Sequence, residues 1–92
     1  MKEIDNKELV EKIHDYIRNL YKAEYNGRLE VINENGMYTL ILGVPNYLWP
    51  TNITLQTNDS EEFLDFVCNE LKTRNYLRVY FYKVIRKEKN EI

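Results

Sequence analysis

One histidine, one cysteine and a run of four carboxylates are where acid–base, nucleophilic or metal chemistry would have to start in this 92-residue chain. His14 lies beside an apolar stripe at helical spacing, a setting that favours a partly exposed structural residue over a general base. Cys68 falls on the buried stripe of a second helical segment, where a thiol is inert packing. Ser60 stands in no nucleophile motif and is better explained as part of a helix start. Asp59, Glu61, Glu62 and Asp65 crowd one helix end without His or Cys neighbours, which is the pattern of a solvated acidic turn more than of a metal site. Gly27, Gly36 and Gly43 are too scattered to cradle a phosphate. The expectation is a protein with no catalytic residue, cofactor or metal, one that acts by binding.

Recognition chemistry is concentrated near the end of the chain, in Tyr76-Leu-Arg-Val-Tyr-Phe-Tyr-Lys-Val-Ile-Arg-Lys87. Read as a strand, it puts Leu77, Val79, Phe81 and Ile85 on one side, with Lys83 the exception. Tyr76, Arg78, Tyr80, Tyr82, Val84 and Arg86 fall on the other, with Tyr80 and Tyr82 expected to face away from the core. Tyr80, Tyr82, Arg78 and Arg86 could stack on bases and hold phosphates. They could equally contact a protein, because Tyr and Arg are enriched at interface hot spots. They are also ordinary cover for a sheet face. A second feature is the proline-bounded loop 45–50, whose Tyr47 and Trp49 are either interface anchors or rings that fold back over one end of the core.

The elements that position these residues follow from local signals. Asp5 and Glu8 form a capping box ahead of Leu9, Ile13, Ile17 and Leu20, predicting a helix over about residues 5–22. Asn35-Gly36 between two apolar runs predicts a type I′ hairpin joining 28–34 to 37–44. That turn pairs Glu34 with Met37, so Val31 faces Leu40 and Leu29 faces Leu42 on an apolar side. Arg28, Glu30, Ile32, Thr39 and Ile41 take the opposite side, and Ile32 and Ile41 are more apolar than a solvent face needs. Residues 51–57 alternate as a third strand with Ile53 and Leu55 inward. Asp59 and Glu62 cap a second helix with Phe63, Leu64, Val67, Cys68 and Leu71 as its buried stripe, Lys72 and Arg74 in its last turn, and Asn75 as its close. The expected order is α-β-β-β-α-β. This is an α+β, two-layer fold of two helices on one face of a four-stranded mixed sheet, with the last strand entering by a right-handed crossover. Residues 1–92 are expected to form a single domain, with 88–92 a charged tail.

Composition narrows the partners. A hydrophobic fraction of 43% with 13% aromatic is enough for a packed core and too much for a disordered chain. A net charge of -2 and a pI near 5.4 give no overall attraction to nucleic acid. The α-β-β-β-α order resembles that of double-stranded-RNA-binding domains. Those open their second helix on a basic cluster, whereas Asp59, Ser60, Glu61 and Glu62 stand here and would repel phosphate, so membership is not inferred. No G-x-x-G clamp and no β-α-β-β-α-β order is present for KH or RRM modules. A lone cysteine and a charged amphipathic start with no apolar signal segment predict a cytoplasmic, non-membrane setting. Abundant Asn, Ile, Lys, Tyr and Glu with almost no Ala fit a small bacterial or phage accessory protein. Residues 58–70 are mostly acidic and 72–89 mostly basic, which favours association over catalysis. The expected function is therefore a non-enzymatic protein–protein interaction module, including self-association as a homodimer through the open sheet face or the last strand. The alternative is a single-stranded nucleic-acid binder using the Tyr/Arg face. The candidate partner surface is Tyr80, Tyr82, Arg78, Arg86, Ile32, Ile41, Tyr47 and Trp49.

Overall fold

The computed structural model describes residues 4–43 and 51–89, with side chains through Ile85. The fold is α+β. Its order is α1 (Asn6–Tyr21), β1 (Arg28–Glu34), β2 (Met37–Gly43), β3 (Thr51–Gln56), α2 (Ser60–Thr73) and α3 (Asn75–Lys89). α1 begins as its cap dictates: the Asp5 carboxylate accepts from the Glu8 amide at 2.8 Å. It ends at Lys22, which takes the left-handed conformation with φ 57. Leu9, Ile13 and Ile17 are buried, while Leu20, expected in the same stripe, is exposed. The Asp59 carboxylate caps α2 by accepting from the Glu61 and Glu62 amides at 3.0 and 3.3 Å. Glu62 does not close the box. Its carboxylate instead accepts from the Thr57 hydroxyl.

The hairpin register is the one the Asn-Gly turn requires. Glu34 pairs with Met37, Val31 with Leu40 and Leu29 with Leu42, and Asn35 and Gly36 both have positive φ. β3 adds antiparallel to β2, giving the strand order β1-β2-β3. Leu29, Val31, Tyr38, Leu40, Leu42 and Ile53 are buried on the face that α1 and α2 cover, where Tyr38 stacks on Phe63 of α2 at 4.8 Å. Ser60, itself buried, accepts the Ile4 amide at 2.8 Å and ties the segment before α1 to the start of α2.

The chain departs from expectation after Arg74. The stretch predicted as a fourth strand is helix α3, so the described sheet has three antiparallel strands and no parallel crossover. Asn75 opens α3 instead of closing α2, whose cap is Arg74. The reason lies in what each periodicity buries. A helix brings Leu77, Tyr80, Phe81, Val84 and Ile85 to one side, and all five are buried. A strand would have put Tyr80 and Val84 on the open face and Lys83 among the core residues. Burying each such side chain stabilises by roughly 1.5–3 kcal/mol, which outweighs the β-propensity of Tyr, Val and Phe, a scale of only about 1 kcal/mol. α3 packs on α2 and on the end of α1, with Phe81 stacked on Tyr21 at 5.4 Å and edge-on to Tyr25 at 5.1 Å.

Candidate functional site

The helical form of α3 redistributes the residues expected to share one surface. Tyr80 turns inward and is only 8% exposed. Its hydroxyl lies 3.0 Å from that of Tyr25. The Tyr25 hydroxyl also accepts the Gly43 amide at 3.1 Å and reaches the carbonyls of Arg28 and Gly43 at 3.1 and 3.0 Å. Tyr80 is thus a structural link between α3 and the open end of the hairpin, not a recognition residue. Tyr82 and Arg78 do face outward and do lie together. Arg86 belongs to α3 rather than to a strand, and its side chain is outside the described set. Tyr47 and Trp49 lie outside the described residues. Ile32 and Ile41 occupy the sheet face opposite the one α1 and α2 cover, as the register demands, beside Thr39, Asn52 and Thr54.

Two outward surfaces emerge. On the sheet, Ile32, Ile41 and Met37 are interspersed with polar groups, and Arg28 closes on Glu30 through two hydrogen bonds of 2.8 and 3.0 Å. This pair holds Glu30 below and Arg28 above their ordinary pKa ranges and leaves neither charge unanswered. On α3, Tyr76, Val79 and Tyr82 are 53%, 45% and 56% exposed, the highest values among the exposed large hydrophobic side chains. They recur one per turn along the side opposite the buried stripe.

Beside them Tyr21, Asn75, Arg78, Val79, Tyr82 and Lys83 line an open depression of about 420 Å³. Burial pushes the Tyr21 hydroxyl above its ordinary pKa, while the nearby Arg78 guanidinium pulls it the other way. Among the described residues neither Arg78 nor Lys83 is ion-paired to a carboxylate. By contrast Arg74, at the α2–α3 elbow, is bonded to Glu70 at 2.6 Å. Strand reasoning set Tyr76 outward but left it out of the candidate surface, and it missed Val79, Lys83 and Tyr21. The signal that could have placed Val79 is Lys83 itself, a charge at an inward strand position but an outward helical one.

The chemistry this surface offers is non-covalent: apolar area, the two cations Arg78 and Lys83, and the phenolic rings of Tyr21, Tyr76 and Tyr82. His14 is partly buried beside Tyr25, with ring centroids 6.3 Å apart. Cys68 is partly buried, and burial followed by the nearby Asp65 carboxylate raises its thiol pKa, which disfavours the nucleophilic thiolate. Among the described residues no group of three or more His, Cys, Asp or Glu side chains is placed to hold a metal ion, and no helix is long and apolar enough to cross a membrane. Compared with protein-family models, with curated proteins and with solved structures, the chain matches none.

Proposed function

We propose that this chain is a non-enzymatic protein–protein interaction module that makes its main contact through the outward side of α3. The observation that supports this reading is the row Tyr76, Val79 and Tyr82, three large side chains about half exposed on one side of one helix. Isolated apolar residues on a surface need no explanation, but a row rimmed by polar and charged groups marks an interaction site. Tyr and Arg are also the residue types that carry interface energy. The sheet face opposite α1 and α2 is a weaker candidate, because its Ile32 and Met37 are less exposed than the α3 row and are interspersed with polar groups.

Photo-crosslinking tests this. Benzoylphenylalanine replaces Tyr82 in one variant and Ile41 in another, each produced in the native host and irradiated there. Protein adducts at position 82, reproducible and absent without light, are the expected result. Adducts to nucleic acid alone at both positions would overturn the reading.

Single-stranded nucleic-acid binding is the second reading, favoured by Tyr21, Tyr82, Arg78 and Lys83 lining one depression. It has a distinct signature. Two phosphate contacts on a single strand give a slope of about -1.4 in log affinity against log salt, whereas a contact dominated by the apolar row changes little with salt.

A further inference from the structure

Resting on that reading, we propose that the occupant of the outward α3 surface is an acidic amphipathic helix of another protein. Its apolar stripe would lie along Tyr76, Val79 and Tyr82, and its carboxylates would face Arg78 and Lys83.

Three observations select this occupant. Spacing is the first. Tyr76, Val79 and Tyr82 are one turn apart over about 9 Å of helix axis, and such a ridge packs best into the groove of a second helix. The depression bounded by Tyr21 and Tyr82 is open on its outer side, placed to take one apolar side chain of that helix as a knob. Charge is the second. Residues 74–92 carry a net +4 and residues 1–73 a net -6. α3 has no acidic residue in its first turn, and Arg78 and Lys83 are without carboxylate partners among the described residues. An apolar row flanked by cations is complementary to an apolar row flanked by anions.

The third observation removes the rival occupants. A second copy docking α3 on α3 sets cations against cations in either orientation. Antiparallel packing brings Arg78 to Lys83, and parallel packing brings each to its own equivalent, and like charges so placed are unfavourable. A nucleic acid is a polyanion that runs beyond a patch of two turns and meets a body of net -6. A short acidic helix ends where the patch ends.

The test uses designed peptides of about 20 residues, long enough to hold helix in isolation. One has a leucine stripe flanked by Glu. A twin has the same stripe flanked by Lys. A third has the composition of the first in scrambled order. Binding to the full chain is read by amide chemical shifts and by fluorescence anisotropy. The Glu-flanked peptide is expected to shift amides of residues 75–83 and to bind roughly tenfold or more tightly than either control. Arg78→Glu with Lys83→Glu should reverse the preference toward the Lys-flanked twin. Val79→Asp should abolish binding, with circular dichroism of both variants unchanged because these residues are exposed.

Equal binding of the Lys-flanked or scrambled peptide, or none of the Glu-flanked one, overturns the inference. So does competition by a single-stranded oligonucleotide for the same amides. A dimer in light scattering that Arg78→Glu disrupts would make a second copy the occupant and overturn it too. Failure here is separable from failure of the broader reading: protein crosslinks at position 82 with no preference for the Glu-flanked peptide would keep α3 as the contact surface and overturn only the acidic helix as its occupant.

Discussion

At the residue scale the Tyr25 hydroxyl is the most connected polar atom described, joining the Gly43 amide, two carbonyls and the Tyr80 hydroxyl in a buried site. Loss of the two phenol groups should therefore differ in cost. Tyr25→Phe leaves the Gly43 amide without its acceptor and should cost about 1–3 kcal/mol. Tyr80→Phe leaves Tyr25 its carbonyls and should cost about 0.5–1.5 kcal/mol; urea unfolding of both variants checks the order. Gly27 permits this arrangement, since a Cβ there would run into the Gly43 carbonyl and the Tyr25 ring. Gly27→Ala should destabilise by about 1–3 kcal/mol. Cys68 sets a pH dependence. Its folded pKa is raised by burial and then by Asp65, so the folded state holds the proton longer than the unfolded state. That contribution is fully present below the ordinary thiol value of 9.0 and is lost as pH rises through it. Tyr16 and Tyr21, also raised by burial, act with the same sign from their ordinary 10.0. Urea midpoints measured from about pH 7 to about pH 10 should fall earlier for the parent chain than for Cys68→Ala.

At the element scale the decisive feature is that α3 is a helix, and two single substitutions read it directly. On a strand, Tyr80 and Tyr82 would share a side and tolerate truncation alike. On α3 they point apart: Tyr80→Ala should cost about 3 kcal/mol or more, and Tyr82→Ala no more than about 0.5 kcal/mol, by thermal or urea unfolding. Lys22 offers a second check, because a lysine at φ 57 pays a steric cost that glycine does not. Lys22→Gly should gain up to about 1 kcal/mol. These elements were not equally legible in the sequence. Asp5 and Asp59 announce helix starts because a cap is a local hydrogen bond. Asn35-Gly36 announces the register, and with it the placement of Ile32 and Ile41, because φ at two residues dictates the turn. Residues 76–87 carry no cap or turn signal that settles the matter. Their apolar residues fit period 2 with misfits at Lys83 and Val84, and they fit period 3.6 through Leu77, Phe81, Val84 and Ile85 with a misfit at Val79. Whether a tyrosine is buried depends on a partner such as Tyr25, fifty-five residues away, and that contact is tertiary. The candidate site inherited the same ambiguity. Tyr82 and Arg78 were legible as recognition residues and Tyr76 as outward, but their neighbours Val79, Lys83 and Tyr21 depend on the helical winding.

At the scale of the whole molecule α3 is both the proposed contact surface and a part of the core. Its Leu77, Tyr80, Phe81, Val84 and Ile85 belong to the same buried cluster as the sheet and the other helices. Burial at roughly 1.5–3 kcal/mol per side chain makes their sum comparable to the 5–15 kcal/mol that typically stabilises a protein. A chain ending at Thr73 should therefore lose its cooperative unfolding transition, seen as a featureless thermal melt by circular dichroism. The Tyr25 junction carries this dependence into the sheet. The Gly43 amide, at the end of a strand, donates to a hydroxyl that is itself bonded to α3. In deuterated water its exchange with solvent should follow the opening of α3 rather than the fraying of β2, making one strand amide a clock for the helix above it. A partner that clamps α3 would slow that clock without touching the sheet.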